Sequence, residues 1–338
     1  MINDCLVDGP MTQFYDARGN VYGVASPASL RNQGVDVPDN AAAAARTRNA
    51  WASAAIASEC SWGVMPAPTG SKAHRCDGLL VGPFQAEPPF DLLIVNTDGS
   101  LAERSGNGLT IFAQALTDQG LLNETCELRV HHDKSDAVSP TVTRVEPAVH
   151  EQITGFWLTL GLPGFGPSVV GAQGVDLPSE GGVELSSVRE LAAINPQWAR
   201  SQFVRVGNPH CVTLVEQIDA LPQNQQMQQP ALYEALKAIA FAPPAGGGHP
   251  CVGGINLQWA ARESGNRVIA RVFERGEGPT ASSGTSASAV ACAAWRVGWV
   301  EDGEIAVVMP GGTLPVRVDV QAGKLLNVSL FGAAQLQV

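Results

Sequence analysis

Residues 105–122 read SGNGLTIFAQALTDQGLL, and residues 283–295 read SGTSASAVACAAW. Each is a Ser-Gly turn that opens into an apolar or small-residue run of helical length. In the first run the apolar residues fall on both sides of a helix, the mark of a buried helix rather than a surface one. One such segment is ordinary. Two, one in each half of the chain, suggest duplicated halves.

The flanking patterns agree. Residues 10–28 alternate and predict a strand broken at Gly19-Asn20, and DGLLVGP (77–83) and FDLLIVN (90–96) predict two short strands. In the second half, QFVRVGNPHCVTLVE (202–216) predicts strand, turn and strand, while GGINLQWAARES (253–264) and NRVIARVFERG (266–276) predict a hairpin. Gly19-Asn20, Asn96 and SGNG occur in that order, and Gly207-Asn208, Asn256 and SGTS repeat it. Asp39 or Asn40 is expected to cap one helix through AAAAARTRNAWASAAIASEC (41–60), which Pro66 and Pro68 close. PALYEALKAIA (230–240) predicts an amphipathic helix. The fold expected is α/β, with two pseudo-symmetric domains at 1–140 and 141–325 and a terminal strand, 326–338, returning to the first.

Bulk properties exclude other classes. A chain of 338 residues that is 45% hydrophobic and 16% charged can bury two cores. The net charge of -11 and the lack of any Lys/Arg block argue against nucleic acid. No apolar run is long enough to cross a bilayer, and the N-terminus has no secretory pattern, so neither a membrane nor export is expected. Seven cysteines without a C-x-x-C predict no disulfide framework and a cytoplasmic location.

The two turns are also where chemistry is expected. A helix N-terminus leaves backbone N–H groups unpaired. Gly106 and Asn107 in one half, and Gly284 and Thr285 in the other, could direct such donors at a carboxylate. Ordinary capping by Ser105 and Ser283 is the competing explanation for either turn alone. Asn20, Asn96, Asn208 and Asn256 offer both donors and acceptors to a polar ligand. Glu274 suits an ammonium and Arg275 a carboxylate. The expected partner is therefore a small zwitterionic, amino-acid-like molecule. His210 could be a structural hydrogen-bonding residue or a catalytic one. His131, His132 and Asp133 could hold a metal only with a further ligand that the sequence does not supply, so no metal is expected. There is no P-loop or H-E-x-x-H.

With RGNVY (18–22), DGLLV (77–81), NTDGS (96–100), SGNG, GNPHCV (207–212), ERGEGPT (274–280), SGT (283–285) and FGAAQLQV (331–338), the chain resembles the diaminopimelate epimerase family of the proline racemase-like superfamily. The likeness runs nearly the full length, with residues 28–75 and 220–250 outside it. It implies two mirrored domains, each a curled, mostly antiparallel sheet wrapped around a central helix, with ligand between them. It implies a cofactor-independent isomerase of lysine biosynthesis that needs no metal and admits a homodimer. By resemblance, Asn20, Asn96, Asn208, Asn256 and Arg275 recognise substrate, Glu274 lies near its α-amino group, and Gly106, Asn107, Gly284 and Thr285 surround the reacting carboxylate.

The departures fall on the reactive groups. Ser105 and Ser283 stand where the family has its two catalytic cysteines, Ser286 where glycine is usual, and Thr110 and Ser288 where cysteine is frequent. A thiol ionises near about 8.5, whereas a serine hydroxyl needs an adjacent base. Three functions stay open at this point: epimerisation or isomerisation of diaminopimelate or a related amino acid by α-proton abstraction, elimination from a hydroxyamino acid, and ligand binding without turnover.

Overall fold

The structure is a computed structural model that describes residues 12–63, 67, 71–134, 138–176, 179–180 and 183–337. The N-terminal stretch, Cys5, Pro66 and Pro68 read above lie outside the described residues. The chain forms two compact units, Met1–Leu158 with Gly332–Val338, and Thr159–Phe331.

The first unit runs β1 (Gln13–Ala17), β2 (Asn20–Ala25), α1 (Pro27–Asn32), α2 (Ala41–Arg46), α3 (Ala52–Glu59), β3 (Gly78–Val81), β4 (Phe90–Asn96), β5 (Leu101–Ala102), α4 (Gly106–Asp118), β6 (Cys126–Val130) and β7 (Thr141–His150). β8 (Ile153–Gly161) carries the chain into the second unit. That unit holds β9 (Gly164–Phe165), α5 (Pro167–Val170), β10 (Ser179–Glu180), β11 (Val183–Glu184), α6 (Arg189–Ile194), β12 (Ser201–Val206) and β13 (Asn208–Val215). It continues with α7 (Asn224–Met227), α8 (Pro230–Ala240), β14 (Asn256–Arg262), β15 (Arg267–Glu274), β16 (Gly278–Thr280), α9 (Gly284–Arg296), β17 (Gly303–Met309) and β18 (Gly312–Gln321). β19 (Lys324–Gly332) leads back, and β20 (Gln335–Leu336) pairs with β1 through Tyr15 and Asp16.

The two units share one pairing scheme. In the first, β20–β1 and β1–β2 are antiparallel, β2–β3 parallel, β3–β4 antiparallel, β4–β6 parallel and β6–β7 antiparallel. In the second, β9–β12 and β12–β13 are antiparallel, β13–β14 parallel, β14–β15 antiparallel, β15–β17 parallel and β17–β18 antiparallel. A short strand, β5 or β16, folds back on the fifth member, β4 or β15, and the long helix follows it. The structure thus has two similarly built sheet-and-helix halves.

The long helices are buried for the reason their sequences indicate. Ala287 through Ala294 of α9 are each 0% exposed, and the helix packs against β12, β13, β14, β15, β17 and β18. Alanine and serine keep it thin enough for strands to approach from several sides while alanine supplies helix propensity. The larger side chains of α4, Leu109, Ile111, Phe112 and Leu116, are buried, and it packs on β1 and β2.

The single helix expected over 41–60 is divided into α2 and α3. Asn40 caps α2, its Oδ1 accepting from Ala43 N at 3.0 Å. At Trp51 the backbone leaves the helical region, with φ -133°, and the indole turns back to donate to Ala44 O at 2.9 Å. Trp51 is buried in the core with Leu30, Ile56 and Leu79. Burying its indole outweighs the few tenths of a kcal/mol per residue, roughly, that alanine propensity contributes.

Candidate functional site

The tight turns before β2 and β13 place two of the asparagines. Arg18 and Gly19 make a two-residue hairpin turn with φ 57° and 83°, after which Asn20 opens β2. In the second unit the turn shrinks to Gly207 alone, φ 66°, between the paired residues Val206 and Asn208. Only glycine takes that φ without strain.

In the first unit, Ser105 is a working helix cap: its Oγ accepts from Gly108 N at 3.0 Å. The helix's own ladder starts with Leu109 N donating to Ser105 O, so the Gly106 and Asn107 amides stand outside it. The Asn107 side chain donates Nδ2–H to Asn20 Oδ1 at 2.5 Å. Asn20 in turn donates to Asp77 Oδ2 at 3.4 Å, which also accepts from Val21 N at 2.9 Å, while Asp77 Oδ1 pairs with Lys72. Asn96 ends β4 opposite Gly78 and donates to Ser100 Oγ at 3.0 Å. The structure therefore brings Asn20 and Asn107 into contact, with Asp77 behind them. Sequence reasoning did not select Asp77, although it heads the DGLLV string.

The second unit is built differently at the same place. Ser283 has the same extended backbone, φ -151° and ψ 121°, but its side chain caps nothing. The Glu274 carboxylate lies near it instead. Burial pushes the Glu274 carboxyl above the ordinary range, the nearby Ser283 hydroxyl works against that, and the negative charge of Glu277 adds to it. The ladder of α9 begins with Ala287 N on Ser283 O, leaving the amides of Gly284, Thr285 and Ser286 outside it. Asn256 is buried and accepts from Arg275 N at 2.8 Å, while the exposed Arg275 side chain donates to Gly253 O at 2.9 Å. Asn208 heads β13, two residues before the His210 position that pairs with Asn256.

Register revises the order-based repeat. Tyr22 pairs with Gly78 and His210 with Asn256, so Asn256 corresponds to Gly78, not to Asn96. Asn96 lies opposite Gly78, the place that Glu274 takes at the end of β15 beyond the Leu257–Phe273 pair. Order along the chain preserved the landmarks but not their strands. The equivalence also explains the unlike serines: where the first unit has an amide, the second has a carboxylate beside its serine. Thr110 and Ser288, five residues past each serine, are alike, each donating to the carbonyl four residues back, Gly106 O and Gly284 O, at 2.9 Å.

His210 is fully buried, and burial holds its imidazole down to about 3, with the positive charges of Arg275 and Arg205 acting in the same direction. It is neutral at physiological pH. Cys292 is fully buried and its thiol is pushed up by burial, so it offers no replacement nucleophile. The residues 131–133 go to separate partners: His131 to Asp91, His132 to the Val138 carbonyl and Thr141 hydroxyl, and Asp133 to Arg48. A hollow of about 390 Å³ beside Trp198 and Gln226, and one of about 380 Å³ beside Asp91 and Arg129, contain none of the predicted site residues. The described cysteines are all free, and no helix among the described residues is long and apolar enough to cross a membrane.

A duplicated sheet-and-helix unit, with a serine at each long helix's N-terminus and a polar strand edge beside it, defines the structural class. A family model described as diaminopimelate epimerase matches residues 202–336. Diaminopimelate epimerase 2 of a Nostoc species is 29% identical over 243 residues, covering 72% of this chain and 74% of that protein. The diaminopimelate epimerase of Ectopseudomonas mendocina is 29% identical over 271 residues, covering 76% and 80%. Among solved structures, a hydroxyproline epimerase from Agrobacterium vitis with bound trans-4-hydroxy-L-proline superposes with a TM-score of 0.56 at 12% identity, covering 97% and 90%. A PhzF-family phenazine biosynthesis protein from Bacillus anthracis superposes with a TM-score of 0.50 at 16% identity, covering 96% of each chain. The chain is thus similar in sequence to diaminopimelate epimerases, and it shares its fold with the hydroxyproline epimerase and PhzF-family structures.

Proposed function

We propose that the protein moves the α-proton of a small amino acid of the diaminopimelate class, without a cofactor, as its distant relatives named epimerases do. In each unit the amides at the start of the long helix, 105–108 in the first and 283–286 in the second, are suited to a carboxylate. Asn20 and Asn96 in the first unit, and Asn208, Asn256 and Arg275 in the second, are suited to the polar groups of a ligand. The observation that carries the reading is the half-buried Glu274 carboxylate at the end of β15, near Ser283 at the start of α9. A serine hydroxyl alone is too weak a base for a carbon acid, but a carboxylate beside it can take its proton as it takes one from carbon. Burial makes that carboxylate more basic, which suits it to the task.

Within its own unit Ser105 has no such partner among the described contacts; its oxygen accepts from Gly108 N. This asymmetry favours a second reading in which one face of the α-carbon carries the base and the outcome is isomerisation or, on a β-hydroxyamino acid, loss of the α-proton and the β-hydroxyl as water, rather than two-sided inversion. Incubating the protein with diaminopimelate and, separately, with β-hydroxyamino acids in deuterated water separates them. Deuterium at the α-carbon with inversion supports the epimerase. Deuterium without inversion, or release of ammonia and a keto acid, supports one-base chemistry. Binding by calorimetry with no incorporation of deuterium would refute proton transfer altogether.

A further inference from the structure

Behind the second unit's strand edge lies a closed polar cluster. Gln258, His210 and Ser286 are each 0% exposed and come from β14, β13 and the first turn of α9. Oriented to satisfy its surroundings, the Gln258 amide donates Nε2–H to the Cys211 and Asn256 carbonyls at 3.3 Å each. Its Oε1 then accepts from His210 Nδ1 and Ser286 Oγ at 3.0 Å each. The reversed amide would set its oxygen against two carbonyl oxygens with no proton between them. Buried like-polarity contacts of that kind leave polar groups desolvated and unpaired, which disfavours the reversed orientation.

The duplicated fold supplies an internal comparison. By register, Tyr22 occupies the place of His210, Leu80 that of Gln258, and Gly108 that of Ser286. Leu80 and Gly108 approach each other there too: a Cβ added to Gly108 would meet Leu80 Cδ2 at 3.4 Å. The first unit fills this position with apolar groups and folds. The polar cluster of the second is therefore not a requirement of the architecture. It also accounts for Ser286, the serine where the family pattern has glycine, because its hydroxyl occupies the second lone pair of the Gln258 oxygen.

We infer that Gln258 is a positioning residue that locks His210 as the Nδ1–H tautomer, leaving Nε2 a bare acceptor. The Nε2 atom makes no hydrogen bond of good geometry within the protein. The competing tautomer would leave Nδ1 without a proton and set its lone pair against the Gln258 oxygen, or force the unfavourable amide orientation. The facing groups are consistent with a neutral ring: Arg275 and Arg205 both disfavour a second proton. The tautomer does not depend on the function proposed above.

Nitrogen-15 NMR of imidazole-labelled protein reads the tautomer directly. The wild type is expected to show a protonated Nδ1 and an unprotonated Nε2 for His210 at pH 7. Gln258→Glu keeps both acceptor contacts and places a negative charge beside the ring, so it should retain Nδ1–H and move the His210 titration midpoint upward. Gln258→Leu combined with Ser286→Gly copies the first unit's apolar arrangement and should retain the fold, with the single tautomer lost to a mixture or to Nε2–H. A wild-type His210 found as Nε2–H would overturn the inference. So would an unchanged Nδ1–H in the Leu/Gly variant, or an unmoved midpoint in Gln258→Glu. None of these outcomes depends on catalysis, so failure here is distinct from failure of the proposed reaction.

Discussion

Acidification should destabilise the protein through His210, and the size of the effect follows from its burial. The imidazole is held at about 3 in the folded chain against an ordinary 6.5. Below 6.5 the unfolded chain takes up a proton that the folded chain refuses, so stability falls as pH falls from 6.5 toward 3. Integrating the two titrations from pH 7 to pH 4 gives a loss of about 3 kcal/mol from this one residue, against ~5–15 kcal/mol for a typical domain. The perturbation is His210→Gln, which keeps hydrogen-bonding capacity and removes the titration. Urea unfolding at pH 7, 6, 5 and 4 gives the stability of each form. The wild type should lose about 3 kcal/mol more than the variant between the extremes, most of it below pH 6. Parallel losses in the two proteins would refute the reasoning and mean that the ring is charged or hydrated in the folded state.

Other expectations follow from the unequal serines. Ser105→Ala removes a cap bond and should cost about 1 kcal/mol in urea unfolding, whereas Ser283→Ala, which breaks no cap, should cost distinctly less. Glu274→Gln should lower α-proton exchange by about 10²–10⁴-fold while leaving circular dichroism unchanged. Because the Glu274 carboxyl is raised, exchange in the wild type should climb with pH through a midpoint above the ordinary glutamate value of 4.5, and that step should vanish in the variant. The raised value has the matching stability sign: ionising Glu274 costs folding energy, so wild type should lose stability relative to Glu274→Gln as pH rises through the same midpoint.

Much of this was legible in residue order. The long helices declared themselves because a Ser-Gly turn, a helical length and an apolar content that encircles the helix all coincide at Gly106–Asp118 and Gly284–Arg296. The break near Gly19-Asn20 was visible too, but the turn falls one residue earlier, at Arg18-Gly19, because Asn20, in β2, already pairs with Ala17. The division between α2 and α3 was not, since it depends on where Trp51 finds its core partners rather than on local propensity. Nor was the equivalence of Asn96 with Glu274, because pairing register is a property of two strands and only one can be read at a time. Glu274 and Ser283 come near each other from positions nine apart across β16, and the Gln258 cluster draws on three separated elements. Asp77 was visible only as the head of a strand, while its role depends on the return of the chain to Val21.

The account rests on a ligand carboxylate held by the backbone amides at the start of a long helix. A crystal structure of the protein with diaminopimelate tests this most directly. The account predicts a carboxylate within hydrogen-bonding distance of the amides of 283–286, with the α-carbon beside Ser283. A ligand bound elsewhere, with those amides facing solvent, would contradict it.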